Sequence, residues 1–144
     1  MRTTSVIQKI LPSAINTVVI LLISSPFWFL HISLFEKKMI IIALFFLYGL
    51  VFICLNEGRD LGMILIRSYW KENYSLIRLL IYNIFYTMSF ASLFFWIYFP
   101  FDIFLVNMLF LQLPTILVTE TTLHGFLSGK MTTVFKQNII DVGA

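Results

Sequence analysis

The stretch Met39–Leu55, MIIIALFFLYGLVFICL, decides the fold class of this chain. It contains no charged side chain, and the charged run Glu36-Lys37-Lys38 directly precedes it. A helix on the surface of a soluble core keeps one polar face, whereas this stretch is apolar on every side. Its length is close to the roughly 20 residues that cross a bilayer core of about 30 Å. The stretch therefore predicts a transmembrane helix.

The composition of the whole chain supports the same interpretation. Of its 144 residues, 60% are hydrophobic and 12% are charged, whereas soluble domains are about 25% charged. A chain this short has too much surface for its volume to hide that apolar excess in a core. Lipid must surround much of the surface, so we predict an all-α membrane protein that forms a single domain over residues 1–144.

Three further apolar runs predict membrane spans on either side of the first. Pro12 suits the first turn of one of them, where its missing N–H is not needed. Pro100 alone separates the last two, and because proline breaks helices we expect a tight antiparallel hairpin there. Together the runs predict a four-transmembrane-helix bundle. The four predicted spans are residues 12–32, 39–55, 76–99 and 101–119.

The segment 58–74, GRDLGMILIRSYWKENY, is too charged to cross the membrane. Met63, Ile66 and Trp70 recur at helical spacing, and basic residues occupy another stripe. We predict an interfacial amphipathic segment between helices 2 and 3 that lies along the inner leaflet.

Basic residues predict the orientation of the bundle. If the N-terminus is inside, eight lysines and arginines lie on the cytoplasmic side and only Lys37 and Lys38 lie outside. Cytoplasmic loops carry such an excess, so both termini are expected in the cytoplasm, including the polar tail 120–144, whose TTVF sequence favours a strand. The net charge of +3 then faces anionic lipid headgroups, and nucleic acid is not expected as a partner. The eight residues are Arg2, Lys9, Arg59, Arg67, Lys71, Arg78, Lys130 and Lys136.

Three amide side chains fall in the inner half of the predicted bilayer, namely Asn16, Asn83 and Gln112. Polar groups are costly in hydrocarbon and often mark function, so these three are candidates for a small polar site inside the bundle. The alternative is that each amide only hydrogen-bonds a neighbouring helix, which contributes about 0.5–2 kcal/mol. The residues themselves leave both interpretations open.

The chain lacks the residue arrangements that catalysis requires. Its serines have no paired base, and its two histidines, His31 and His124, fall on opposite sides of the predicted membrane. A single cysteine, Cys54, excludes an internal disulfide, and the sequence has no zinc ligand set and no phosphate-binding loop. We therefore predict no enzyme activity, no cofactor and no metal.

Three segments, taken in order, resemble the RDD family of small prokaryotic membrane proteins. Gly58–Met63 (GRDLGM) resembles the G-x-T-L-G-K stretch that follows the second span of that family. Lys71–Arg78 resembles the polar turn and the S-L-x-R sequence that open its third span. Thr122–Lys130 (TLHGFLSGK) resembles the T-L-H-D-x-L-A-G-T stretch after its last span. Near the start, Lys9 and Asn16 fall where the family has an arginine and an aspartate.

The resemblance implies a location and a role. It places the chain in the prokaryotic cytoplasmic membrane and suggests a link to transport or to exchange of ions and protons, a role proposed for some members. The family takes its name from an arginine and two aspartates, whose positions are held here by Lys9, Asn16 and Gly125. Without those carboxylates, a cation cannot be bound through charge at these positions. The family-motif positions are Lys9, Asn16, Gly58, Gly62, Arg78, His124 and Gly129.

Two functions remain in competition. The first is a transporter-like or accessory membrane protein of the RDD type that uses a polar site around Asn16. The second is a structural or interaction subunit, which packs as a small bundle against a larger membrane protein. The expected partners are such a larger protein or further copies of this chain in a homo-oligomer, and a homo-oligomer would favour the first function. Loss of an ion-dependent activity in Asn16→Leu would support the first, and a stoichiometric co-purifying protein would support the second.

Overall fold

The structure, a computed structural model, describes residues 2–3 and 5–135. Within this part of the chain, three helices are long and apolar enough to cross a membrane. The prediction of a helical chain with membrane-length apolar helices is therefore confirmed. Residues 136–144, including Lys136, belong to the predicted cytoplasmic tail and lie outside the described part. The three helices are Val6–Phe29, Leu34–Asn56 and Asp102–Thr119.

The described residues form several helices and three short strands. They are β1 (Arg2–Thr3), α1 (Val6–Ser24), a 3₁₀ turn (Ser25–Phe29), α2 (Leu34–Asn56), α3 (Leu61–Leu65), β2 (Ser68–Trp70), α4 (Leu76–Ala91), α5 (Asp102–Val106), a π-helical segment (Asn107–Gln112), α6 (Leu113–Thr119), α7 (Leu123–Leu127) and β3 (Thr133–Phe135). The segments from α5 to α6 join end to end, and we call them the rod. The strands form an antiparallel sheet in the order β1–β3–β2, in which Thr3 and Tyr69 both pair with Val134. We call the end of the bundle that carries this sheet the sheet end.

Helix caps place the first two helices earlier than hydropathy predicts. Ser5 accepts a hydrogen bond from the Gln8 amide, and the Gln8 side chain accepts one from the Ser5 amide. This capping box starts α1 at Val6 and leaves Pro12 in the helix interior, not in its first turn. An equivalent capping box starts α2 at Leu34.

The connection after α4 is longer than the predicted tight hairpin. α4 ends at Ala91, and residues 92–101 form turns instead of continuing the helix. The carboxylate of Asp102 accepts hydrogen bonds from the amides of Ile97, at 2.9 Å, and Tyr98, at 2.7 Å. Because this carboxylate satisfies the backbone donors of the loop, they do not need helical partners.

The segment 58–74 forms α3 and β2, not one amphipathic helix. Positive φ angles at Gly58 (76°) and Arg67 (55°) interrupt the helical backbone on both sides of α3. α3 packs so closely on α1 that a Cβ at Gly62 would lie 2.3 Å from the carbonyl oxygen of Pro12. The first part of the segment is therefore packed inside the protein.

Gly62→Ala is expected to lower the free energy of unfolding by about 1–3 kcal/mol, the usual cost of overpacking. The added methyl group would overlap the backbone of Pro12, which cannot rotate aside as a side chain can. Denaturant unfolding in detergent micelles measures the change. Leu65→Ala is the control, because Leu65 is exposed on the same helix. Equal stabilities of the Gly62→Ala protein and the unmodified chain would contradict the close contact between α1 and α3.

The apolar core joins α1, α2 and α4. The rings of Phe45 and Phe90 stack with centroids 3.9 Å apart and an interplanar angle of 9°. Tyr86 meets Phe45 edge-on at 5.0 Å and carries a hydroxyl group from the core into the polar cluster described below. The buried core residues are Ile20, Ile41, Phe45, Tyr86 and Phe90.

Candidate functional site

Asn16 is the centre of a hydrogen-bonded cluster near the sheet end. Its side chain is fully buried. Its Oδ1 atom accepts hydrogen bonds from the Tyr48 hydroxyl and from the Gly62 amide, each at 2.9 Å. Its Nδ2 atom donates to the Tyr86 hydroxyl at 3.1 Å. One amide side chain thus links α1 with α2, α3 and α4.

Asp60 is the acidic group beside this amide. Its side chain is 7% exposed, and its Oδ1 atom accepts from the Met63 amide at 2.8 Å, which caps α3. Burial raises the pKa of Asp60 to about 6, although hydrogen bonds from the Met63 amide, the Asn16 side chain and the Gly62 amide favour the charged form. The carboxyl group can therefore gain or lose a proton near neutral pH.

Two small cavities flank Asp60. Their volumes are about 30 Å³ and about 20 Å³, and Tyr82 and Tyr86 border both of them. Each is larger than the roughly 10–15 Å³ that one water molecule requires. Each cavity is therefore large enough to hold a water molecule next to the residues that surround Asp60. We call Asp60, Asn16, Tyr48 and Tyr86 the aspartate cluster.

The three amides that the sequence suggests for one site have different partners. Asn83 is buried, donates to a backbone carbonyl of α2 at 3.1 Å and borders the smaller cavity beside Asp60. Gln112 donates to the Ser89 hydroxyl at 3.3 Å and accepts from the Leu123 amide at 3.1 Å. Asn83 thus lies at the edge of the aspartate cluster, whereas Gln112 links the rod to α4 and α7.

Lys9 and His124, two positions taken from the family resemblance, are both buried. The Lys9 ammonium donates to the carbonyl of Glu120. The His124 ring stacks on Tyr86 with centroids 4.9 Å apart and meets Tyr82 edge-on at 4.7 Å. Burial lowers the pKa of His124 to about 3, so the imidazole is neutral at neutral pH.

The remaining family-motif positions shape the backbone of the sheet end. Gly58 and Gly129 have positive φ angles of 76° and 99°, which favour glycine. A Cβ at Gly129 would lie 3.3 Å from the Nε atom of Arg78. Gly62, as described above, allows α3 to reach α1. Gly58 therefore sets the turn before α3, Gly129 sets the turn after α7, and Gly62 sets the packing of α3 on α1.

Asp60 is the site residue that sequence reasoning missed, because the charges of the segment 58–74 assign it to the membrane surface. The sequence Asp60-Leu61-Gly62-Met63 does contain a signal for the burial of this aspartate. An aspartate that caps a helix and precedes a glycine that permits close packing can be drawn into the interior with its helix.

No protein-family model matches the chain, and no curated protein or solved structure matches it. The cluster combines a buried carboxyl group of raised pKa with an amide, two phenols and two water-sized cavities. Such perturbed groups are candidates for functional sites, and the aspartate cluster is the candidate site of this chain.

Proposed function

We propose that this chain is an RDD-like, transporter-like integral membrane protein of the prokaryotic cytoplasmic membrane, in which Asp60 exchanges a proton for a monovalent cation. The observation that carries the proposal is the buried carboxyl group of Asp60 beside Asn16, with a water-sized cavity on each side. A pKa of about 6 allows both protonation states near neutral pH. Ionisable groups inside membrane bundles commonly belong to proton and ion pathways.

The proposal includes four membrane crossings with both ends in the cytoplasm. β1 precedes the first long helix and β3 follows the last, yet the two strands pair, so the chain must return to its starting side. An odd number of crossings cannot do this, which favours α4 as a fourth. Its 16 residues extend about 24 Å at ~1.5 Å per residue. The excess of basic residues on this side supports a cytoplasmic sheet end.

Both protonation states of Asp60 have partners in this proposal. The charged form is stabilised by the amides of Met63 and Gly62 and by the Asn16 side chain. A monovalent cation in a flanking cavity would replace the lost proton and offset the cost of a buried charge. The Tyr86 hydroxyl, on a residue that borders both cavities, offers an oxygen ligand of the hard type that such cations prefer.

The family resemblance gives a second argument. Where this chain has Asn16 the family has an aspartate, and where it has Asp60 the family motif has a threonine. Here the two side chains lie together in one cluster. This chain and the family would then have a carboxyl group at the same place in the bundle. In the family the aspartate would belong to α1, whereas in this chain it caps α3.

A proteoliposome assay with a trapped pH indicator tests the proposal. Addition of Na⁺ or K⁺ should dissipate an imposed pH gradient with the unmodified chain, and Asp60→Asn should abolish the exchange. Glu57→Gln is the matched control, because Glu57 is an exposed acid close in sequence, and this variant should keep full activity. The double change Asn16→Asp with Asp60→Thr should restore exchange that Asp60→Thr alone loses. Undiminished exchange in Asp60→Asn would rule out this site.

The alternative, a structural or interaction subunit that packs against a larger membrane protein, is favoured by the surface of α2. Of the 23 residues of this helix, only Ile41 and Phe45 are fully buried, so most of α2 is free to contact lipid or another protein. Extraction into native-lipid nanodiscs followed by mass determination separates the two functions. A stoichiometric foreign protein, together with no exchange by the purified chain, would replace the transport proposal.

A further inference from the structure

A large cavity lies between α1, α4 and the rod, next to the two small cavities at Asp60, with which it shares Tyr86. Its volume is about 320 Å³, roughly twice that of an engineered apolar cavity of about 150 Å³ that binds benzene. Val18 borders it and is also 56% exposed on the outside of α1. The cavity therefore reaches the lipid-facing surface between α1 and the rod. We call it the lateral cavity.

The wall of the lateral cavity is mostly apolar, and several polar residues border it near the sheet end. Phe90 and Leu93 at the end of α4 and Phe104 and Met108 in the rod form its apolar part. The polar residues near the sheet end come from α1, from the end of the π-helical segment, and from α7 and its N-cap. These polar residues are Lys9, Ser13, Gln112, Thr122 and His124.

The polar end has one basic side chain and an unsatisfied ring. Apart from the neutral His124, Lys9 is the one basic residue among the described residues that line the cavity, and none of them is acidic. The Lys9 side chain also donates to the carbonyl of Glu120. His124 is 4% exposed, and neither of its ring nitrogens has a hydrogen-bond partner in the described part of the chain. Buried polar atoms normally find partners. A ligand with an anionic, hydrogen-bonding head would therefore complement this end.

We infer that the lateral cavity binds one single-chain anionic amphiphile, a fatty-acid carboxylate, taken from the surrounding bilayer. The acyl chain lies against Phe104 and Met108, and the carboxylate lies at the Lys9 end. The volume suits one chain of a small ligand. The membrane helices that form the walls make the bilayer the source, and the inference does not depend on proton exchange at Asp60.

The π-helical segment of the rod supplies both an apolar and a polar contact. Met108 from the apolar part and Gln112 from the polar part both belong to Asn107–Gln112. Because these two residues are four positions apart, they lie on the same face of the rod. π-Helical turns are frequent at functional sites.

Photo-crosslinking in nanodiscs tests the inference with a diazirine analogue of laurate. We expect the label on Phe104 and Met108, and we expect unlabelled laurate to compete about tenfold better than laurylamine of equal length, because one charge-assisted contact distinguishes them. Equal competition by laurylamine, or by a two-chain phospholipid, would overturn the inference. Uniform labelling of all lipid-facing residues would overturn it as well.

Two pairs of variants make the test specific. Met108→Trp should fill the cavity and reduce labelling about tenfold, whereas Leu109→Trp should not, because Leu109 is 55% exposed on the same segment. Lys9→Gln should remove the preference for laurate over lauryl alcohol while binding of the alcohol persists, and the exposed Lys71→Gln should change neither. If Lys9→Gln does not fold, the tryptophan pair still decides, because equal labelling in both would exclude the cavity.

Discussion

An Asn16→Leu protein is expected to lose roughly 4 kcal/mol of its free energy of unfolding. Leucine accepts no hydrogen bond, so the Tyr48 hydroxyl and the Gly62 amide would both lose their buried acceptor. Each buried donor without a partner costs about 1–3 kcal/mol, and the Tyr86 hydroxyl would lose its donor as well. Asp60 would lose a group that stabilises its charged form, so we expect its pKa to rise further.

Denaturant unfolding in detergent micelles measures this loss. Asn73→Leu is the matched control, because Asn73 is exposed and surface changes usually stay within about 0.5 kcal/mol. A loss below about 1 kcal/mol in Asn16→Leu would mean that the cluster can exchange its hydrogen bonds for others. Such a result would contradict a central structural role for Asn16.

Hydropathy predicted the three long helices and placed a helix in each of the four apolar runs, but other interactions determine where these helices end. The run Met39–Leu55 lies wholly inside α2, because a continuous apolar stretch needs a helix in lipid. The apolar character of the third run continues to Phe99, yet α4 ends at Ala91. The Asp102 carboxylate captures the backbone amides of the following loop, and this contact between separate turns has no hydropathy signal.

The candidate site was only half predictable, because its two polar groups reach the interior differently. Asn16 stands out in an apolar run, so its burial follows from the sequence alone. Asp60 lies among charged residues, and its burial depends on the approach of Gly62 to Pro12. That approach is a tertiary contact between elements distant in sequence, which residue periodicity does not encode.

Asp60 and His124 are expected to impose opposite pH dependences on stability. The pKa of Asp60 rises from 3.8 to about 6 on folding, so the folded state holds a proton that the unfolded chain has released. Its contribution to stability therefore falls as the pH rises from about 4 to about 6. The pKa of His124 falls from 6.5 to about 3. As the pH decreases, His124 of the unfolded chain is protonated before His124 of the folded chain. The contribution of His124 to stability therefore falls as the pH decreases from about 6.5 towards 3.

Single substitutions should separate the two effects. In Asp60→Asn only the histidine effect remains, and the free energy of unfolding should fall by roughly 2 kcal/mol more than in the unmodified chain between about pH 6 and pH 4. In His124→Phe, which keeps a ring against Tyr86, the opposite slope should appear, with a loss of roughly 2 kcal/mol as the pH rises over the same range. Denaturant unfolding at a series of pH values measures both slopes.

The double variant Asp60→Asn with His124→Phe tests whether these two groups cause the opposite pH dependences of the free energy of unfolding. Its profile should return to the shallow slope of the unmodified chain, because both linkages are then removed. Profiles of the single variants that run parallel to the unmodified chain would contradict the pKa shifts of both groups. Since Tyr86 contacts the His124 ring and the Asn16 amide beside Asp60, the opposing linkages act at one place in the fold. They would keep the bundle nearly equally stable over the pH range in which Asp60 titrates.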